Sequence, residues 1–439
     1  MFKETSKELL DFLSKSPTAF HAVENYRQIL NADGFKELLE SEHWDIVPGG
    51  KYYVTRNNTS ILAFKVGTKL DNYSFNIVTS HTDSPTFKVK ENAEIEVKNK
   101  YTQLNTEGYG GMLCATWLDR PLSIAGRVLV SEGNSIVTKL LNIDRDLLMI
   151  PNVAIHMNRA ANDGFKYNLQ VDMLPLLSAG DDRQKDFKQI IADELGVKKE
   201  DILGHDLYLY NRMAPSIWGA NEEFISAGHL DDLQCGFASL KALLAGYNDE
   251  SIDIMACFDN EEVGSGTKQG ADSTLLRDTL TRINNALGKT EEDYHRALAS
   301  SFMLSSDNAH AVHPNHPEHT DATNCTYMNE GVVVKSHAGQ KYTSDGVSMA
   351  VVKALASGAD VPLQYFANRS DKAGGSTLGN IAMAQASMNA VDIGLPQLAM
   401  HSSYETAGIK DTYYAITLMK ALFDSHIQET STHSLEIKR

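Results

Sequence analysis

Residues 252–258 read Ile-Asp-Ile-Met-Ala-Cys-Phe and run directly into Asp259-Asn260-Glu261-Glu262. A continuous apolar run of that length is the pattern of a strand buried on both faces of a parallel sheet. Ser-Phe-Asn-Ile-Val-Thr-Ser (74–80) is a shorter run that stops before His81. Similar runs occur at 301–306, 361–367 and 396–402, and the stretches between them carry helical apolar stripes, as at 233–247, 348–358 and around 380–387. Near the N-terminus, Leu9, Leu10, Phe12 and Leu13 fall on one side of a helix that Pro17 ends. A second helix is expected from Thr18 to Gly34, and 51–66 reads as a hairpin turning at Asn57-Asn58. Strand alternating with helix predicts an α/β fold: a central mixed, mostly parallel sheet flanked by helices. Such sheets place their chemistry beyond the carboxyl ends of the strands.

The texture changes from about 87 to 140, where short β-rich runs alternate with Gly and Asn. A helix is expected at 183–195, closed by Gly196, and a strand at 206–210. The chain therefore divides into a discontinuous domain, 1–90 with 226–439, and an inserted β-rich domain, 91–225. The polar tail from Gln428 is expected to be loose.

Composition removes several functions. Of 439 residues, 40 are Lys or Arg and 57 are Asp or Glu, a net charge of −17. A nucleic-acid binder would need a basic patch for the phosphate backbone, and a membrane-surface protein a polybasic one. Neither partner is expected. No apolar run approaches the ~20 residues that span a bilayer, and the N-terminal stretch lacks the apolar core of a signal peptide. Four cysteines without a C-x-x-C pair fit reduced thiols and a cytoplasmic location.

Five strand or helix ends then carry His81, Asp231, the Glu261-Glu262 pair, Asp307 and His401. Singly each reads as structural. Together, with one glutamate of the pair counted as a donor, they supply two imidazoles and three carboxylates, a set that zinc accepts. The adjacent glutamates are either two exposed side chains at a strand end or one metal ligand and one general base. Two buried like charges need a cation to coexist.

The motifs HTDSP (81–85), HLDDL (229–233), DNEEVGSGT (259–267), SSDNAHAVHPN (305–315) and MHS (400–402), in that order, resemble the aspartyl aminopeptidase family of metallopeptidases in its bacterial form. The similarity extends over nearly the whole chain, through SPTAFHAV, TWLDRPLSIAGRV, IPNVAIHMNR and ELGVKKEDILGHDLYLY. The resemblance implies two divalent metal ions, usually zinc, with manganese or cobalt as substitutes. Asp231 bridges both ions, His81 and Asp307 complete one site, and Glu262 and His401 the other. Glu261 is the general base, and Asp83 orients the His81 imidazole through its other nitrogen. The reaction implied is release of one N-terminal amino acid from a peptide with a free α-amine. The inserted domain becomes a dimerisation and lid domain, and the assembly a tetrahedral dodecamer built from dimers. His156 reaches a neighbouring subunit's active site, and Lys335 stands near the specificity pocket, where it would pair with an acidic side chain.

The family's usual Arg-Leu-Asp-Asn reads His229-Leu230-Asp231-Asp232 here, and its His-Ser-Ile-Arg-Glu reads His401-Ser402-Ser403-Tyr404-Glu405. A third segment reads Ala373-Gly374-Gly375-Ser376-Thr377-Leu378-Gly379-Asn380 for Pro-Cys-Gly-Ser-Thr-Ile-Gly-Pro. No metal ligand is lost; the changes surround the pocket and favour a broader N-terminal preference. His310, His313, His316 and His319 form a further run, but Pro314 and Pro317 keep it off a single helical face. It is expected as a loop near the site, with His310 or His313 beside it. Two competing functions stand against the peptidase: another di-metal hydrolase, such as an amidohydrolase or phosphoesterase, and a non-catalytic scaffold. The first would ignore the α-amine; the second would have lost a ligand or Glu261.

Overall fold

The computed structural model describes residues 1–439. A nine-stranded sheet runs in the order Lys36–Leu38, Lys51–Arg56, Ser60–Val66, Ser251–Phe258, Ser74–His81, Phe302–Ser306, Asn389–Gly394, Val332–Lys335 and Leu363–Phe366. Its four middle strands, Ser251–Phe258 through Asn389–Gly394, are mutually parallel, and the neighbours on both sides of them pair antiparallel. The carboxyl ends of those four strands therefore open on one edge.

Side-chain alternation fills both faces. On Ser74–His81, Phe75 and Ile77 enter one core and Val78 the other. On Ser251–Phe258, Ile252, Ile254, Ala256 and Phe258 face one way, and Met255 and Cys257 the other. Helices Phe2–Ser14, Ala19–Ala32, Leu230–Ala245, Gly346–Gly358 and Asp411–Phe423 cover one face; Leu275–Ala286, Glu291–Ala299 and Leu378–Gln385 cover the other. Full burial of each Val, Leu, Ile or Phe contributes roughly 1.5–3 kcal/mol. With no face exposed to water, these strands need no polar alternation, which is why the runs are legible in the sequence.

A second sheet of six strands has the order Ser135–Asn142, Leu122–Glu132, Ile202–Asn211, Thr86–Val97, Tyr101–Tyr109 and Leu176–Ala179, all antiparallel. It has its own core, into which helix Phe187–Leu195 packs. Five short strands, including Pro396–Leu398 and Glu405–Gly408, form a third sheet beside the open edge.

Several sequence expectations need correction. The helix expected at 183–195 begins at Phe187, because Asp186 caps it by accepting from Gln189 N at 3.0 Å. The run at 361–367 is an edge strand, with Tyr365 exposed. At 396–402 only Pro396–Leu398 is strand, and it belongs to the five-stranded sheet. The central strand Asn389–Gly394 was not expected; Asp392 within it broke the apolar pattern. The tail pairs as a hairpin, His426–Ser431 with Ser434–Lys438, rather than lying loose.

Candidate metal centre

The carboxyl-end edge gathers the acidic and imidazole groups. His81 ends its strand in register with Phe258, so the Asp259–Glu262 turn lies beside it. Asp307 follows Phe302–Ser306, and Asp231 lies in the first turn of Leu230–Ala245. His401 sits in the loop between two strands of the five-stranded sheet. The structure thus brings His81, Asp231, Glu261, Glu262, Asp307 and His401 around one cleft.

Asp231 stands at the centre. Its Oδ1 lies 3.4 Å from His81 Nε2, and its Oδ2 lies 3.4 Å from His401 Nε2. His81 Nε2 is also 3.9 Å from Asp307 Oδ1, and His401 Nε2 is 3.4 Å from Glu262 Oε2. Ligand atoms of Asp231, Glu262 and His401 lie within 4.8 Å of one another, as do those of His81, Glu261 and Glu262, and of His81, Asp232 and Asp307.

These residues fit a cation. Asp231 Oδ1 and Glu262 Oε1 are buried and accept no hydrogen bond, a costly state for a carboxylate oxygen. Burial raises the pKa of Glu261 to about 7, with Asp307, Asp83 and Asp231 adding to it against His81. Burial, reinforced by Asp231, pushes Glu262 well above the usual range. Crowded carboxylates that resist ionising together are what a bound divalent ion relieves. Imidazole and carboxylate donors suit zinc.

Asp83 meets the His81 imidazole at its other nitrogen. His81 Nδ1 donates to the backbone carbonyl of Asp83 at 3.0 Å, and the carboxylate Oδ1 is 3.4 Å away. That carboxylate also accepts from Glu261 N at 3.1 Å and Glu262 N at 3.2 Å. It therefore fixes the backbone that carries both glutamates. Tyr109, from the six-stranded sheet, donates to Asp83 Oδ2 at 2.6 Å, and Asn260 Nδ2 donates to the Tyr109 hydroxyl at 2.8 Å. His401 Nδ1 is held by the carbonyl of Gly111 at 2.9 Å, just beyond the same strand. The chain passes close to the site here: a Cβ on Gly110, which has φ +73°, would lie 3.1 Å from Glu262 Cβ.

Sequence reasoning missed these groups, and Glu405 too, whose carboxylate accepts from Asp231 N at 3.0 Å and His401 N at 2.8 Å. It also passed over Asp232, whose Oδ2 accepts from His81 N at 3.2 Å. Its adjacency to Asp231 was the available signal.

Lys335 is buried at the cleft wall. Its Nζ donates to the carbonyl of Asp307 at 2.7 Å and lies 3.6 Å from Asp307 Oδ2. His310 lines the same cleft near Phe366. His156 lies in an exposed loop and touches none of these groups within its own chain. His316, Glu318 and His319 form a separate exposed group, in which His316 Nδ1 and Glu318 Oε1 are 3.1 Å apart.

A doubly wound sheet with acidic and imidazole donors at its carboxyl edge defines a metal-dependent hydrolase. Comparison with known proteins gives the family. Residues 12–423 match the aminopeptidase I zinc metalloprotease (M18) family. A probable M18 family aminopeptidase 2 of Clostridium novyi is 48% identical over 425 residues, covering 95% of this chain and 98% of that protein. A cryo-EM structure of an Ape4 and Nbr1 complex superposes with a TM-score of 0.93 at 35% identity, covering 96% of this chain and 86% of that one. The S. cerevisiae mApe1 dodecamer superposes with a TM-score of 0.84 at 28% identity, covering 96% and 97%. The chain belongs to the M18 family, of which the aspartyl aminopeptidases are members. It is a zinc-dependent metallo-aminopeptidase.

Proposed function

We propose that this enzyme removes single N-terminal residues from short peptides with two divalent ions per chain, zinc in the first place. The observation that carries the reading is Asp231, whose two oxygens face two different imidazoles across one cleft. His81 and Asp307 would hold one ion with Asp231, and Glu262 and His401 the other. Bound there, the ions supply Lewis-acid polarisation of the scissile carbonyl and a lowered pKa for the attacking water. Glu261 takes the proton from that water and passes it to the leaving amine. Its place on the cleft wall, beside Glu262, suits that exchange. Asp83 keeps Glu261 and Glu262 in place through their backbone amides.

Lys335, on the cleft wall, would pair with an acidic first side chain, while the altered pocket segments would also admit apolar ones. Residues 1–90 and 226–439 form the catalytic domain. Residues 91–225, built largely from the six-stranded sheet, form a dimerisation and lid domain whose exposed His156 serves a neighbouring subunit. The assembly is a dodecamer of tetrahedral form; the relative that forms a dodecamer supports the subunit number. The enzyme acts in the cytoplasm without nucleic acid or membrane. Four free cysteines support the cytoplasmic reading.

The test is a panel of aminoacyl-chromogenic substrates, free and N-blocked, with metal counting on the same preparation. Hydrolysis of free but not blocked substrates, with about two ions per chain, is the expected result. Equal hydrolysis of blocked substrates would make the protein a general di-metal amidohydrolase. One ion at full activity would end the two-metal mechanism. Light scattering at the mass of a single chain, with full activity, would remove His156 from a neighbour's site.

A further inference from the structure

Asp392 is fully buried on the strand Asn389–Gly394 and belongs to none of the groups that could hold a metal ion. Its Oδ1 accepts from Ser305 Oγ at 2.6 Å and Thr377 Oγ1 at 2.7 Å. Its Oδ2 accepts from Thr343 Oγ1 at 3.0 Å and from the Thr343 backbone amide. Its own amide donates to Ser344 Oγ at 3.0 Å. Four donors converge on one carboxylate, and three of them come from two segments without regular secondary structure, 336–345 and 367–377.

Both segments wall the cleft. Tyr342 belongs to the first, Ser376 and Thr377 to the second, and all three line the cavity that holds the metal ligands. The segments also grip each other, because Lys341 Nζ donates to the carbonyls of Ala373 at 2.9 Å and Gly374 at 3.1 Å. Lys335 lies directly across the strand pair from Asp392, on the same face of the sheet. Ser305 is two residues before Asp307. Packing is tight: a Cβ on Gly379 would come within 2.4 Å of Ser305 Oγ and 2.9 Å of Asp392 Oδ1. A buried carboxylate is costly to hold unless its acceptors are used. Here all of them are spent on the pocket's two walls and on the strand that leads to Asp307.

We propose that Asp392 is the positioning residue of the substrate pocket: it draws the 336–345 and 367–377 segments onto the sheet and so sets which N-terminal side chains the enzyme accepts. The inference rests on the aminopeptidase reading of the cleft. It concerns shape, and Asp392 itself touches neither metal nor substrate.

The test is Asp392→Asn, compared with wild type in the loaded enzyme. The amide keeps the size but presents an NH2 where two donors now point. Expected are a KM raised about tenfold with kcat changed less than about threefold, as for a lost positioning contact to a charged group. The kcat/KM ratio between acidic and apolar N-terminal residues should shift at least about threefold. Metal content should stay at the wild-type value. Limited trypsin digestion should cut faster after Lys341 and Lys372, a readout independent of activity. Unchanged KM, selectivity and cleavage, with or without a lower Tm, would overturn the proposal and leave Asp392 an ordinary core group. Should Asp392→Asn fail to fold, Thr343→Val and Thr377→Val each remove one hydroxyl and should give smaller changes in the same direction. Wild type that cleaves blocked peptides equally would sink the aminopeptidase reading alone, since the trypsin comparison still decides the role of Asp392.

Discussion

The nine-stranded and six-stranded sheets meet at the candidate metal centre and bring different things to it. The nine-stranded sheet and its flanking loops deliver side chains: His81, Glu261, Glu262 and Asp307 all extend from ends of its parallel strands. The six-stranded sheet delivers alignment: the Tyr109 hydroxyl on Asp83 and the Gly111 carbonyl on His401. Ligand chemistry needs particular residue types, so the first contribution is written in the sequence. A backbone carbonyl belongs to every residue, so the Gly111 contact leaves no such mark, and the Tyr109 hydroxyl acts only through Asp83.

That division can be broken at four points, in order of expected effect. Glu261→Gln removes the base from the ligand side; kcat should fall on the order of 10³-fold while metal content, counted by plasma mass spectrometry, is retained. Wild-type turnover would place the base elsewhere. His401→Ala should lower metal content from about two ions per chain to about one, since one of the two imidazoles is gone. Retention of both would show that Gly111 aligns a residue the metal does not need. Tyr109→Phe deletes only the hydroxyl from the alignment side. It should weaken zinc affinity about tenfold in equilibrium dialysis, the usual size of an effect exerted through a ligand's neighbour. An effect as large as that of His401→Ala would erase the distinction between the two sheets.

The smallest effect serves as an internal control on the ligand strand. Asp253, near the start of Ser251–Phe258, is buried, and burial raises its pKa to about 8 despite hydrogen bonds from Asn76 and Ser251. The unfolded value is about 3.9. The folded state therefore binds more protons between these values, and this group's contribution to stability falls as pH rises from about 4 to about 8. Asp253→Asn should flatten that part of the profile in denaturant titrations and leave turnover alone. An unchanged profile would mean that another buried carboxylate governs it.

The legible parts of the molecule share a physical cause. Strands with both faces covered show as apolar runs, so Ser251–Phe258, Ser74–His81 and Phe302–Ser306 could be read directly, along with the groups at their ends. Asn57 and Asn58, both at positive φ, marked the hairpin turn as expected. Asn389–Gly394 was hidden because Asn389 and Asp392 leave it three apolar side chains, where Asp253 leaves six in 252–258; the Asp392 carboxylate is satisfied by donors from segments distant in sequence. Glu405 was hidden for a related reason, since its partners are the backbone amides of Asp231 and His401. The His310–His319 run stood out in sequence, yet only His310 lines the cleft. Spacing alone does not say which imidazole turns inward.

The carbonyl of Gly111 on His401 also has a consequence for the order of events as the chain is made. His81 leaves the ribosome early, whereas His401 follows 320 residues later (401 − 81) and is gripped by a segment synthesised in between. Leu113 N donates to the His401 carbonyl and Ser403 Oγ to the Thr116 carbonyl, so the late loop docks on an earlier segment. Contacts this distant in sequence form slowly, because the intervening chain must first be closed. On the proposed ligand set, a chain released short of residue 401 would have most of the donors but not the second imidazole.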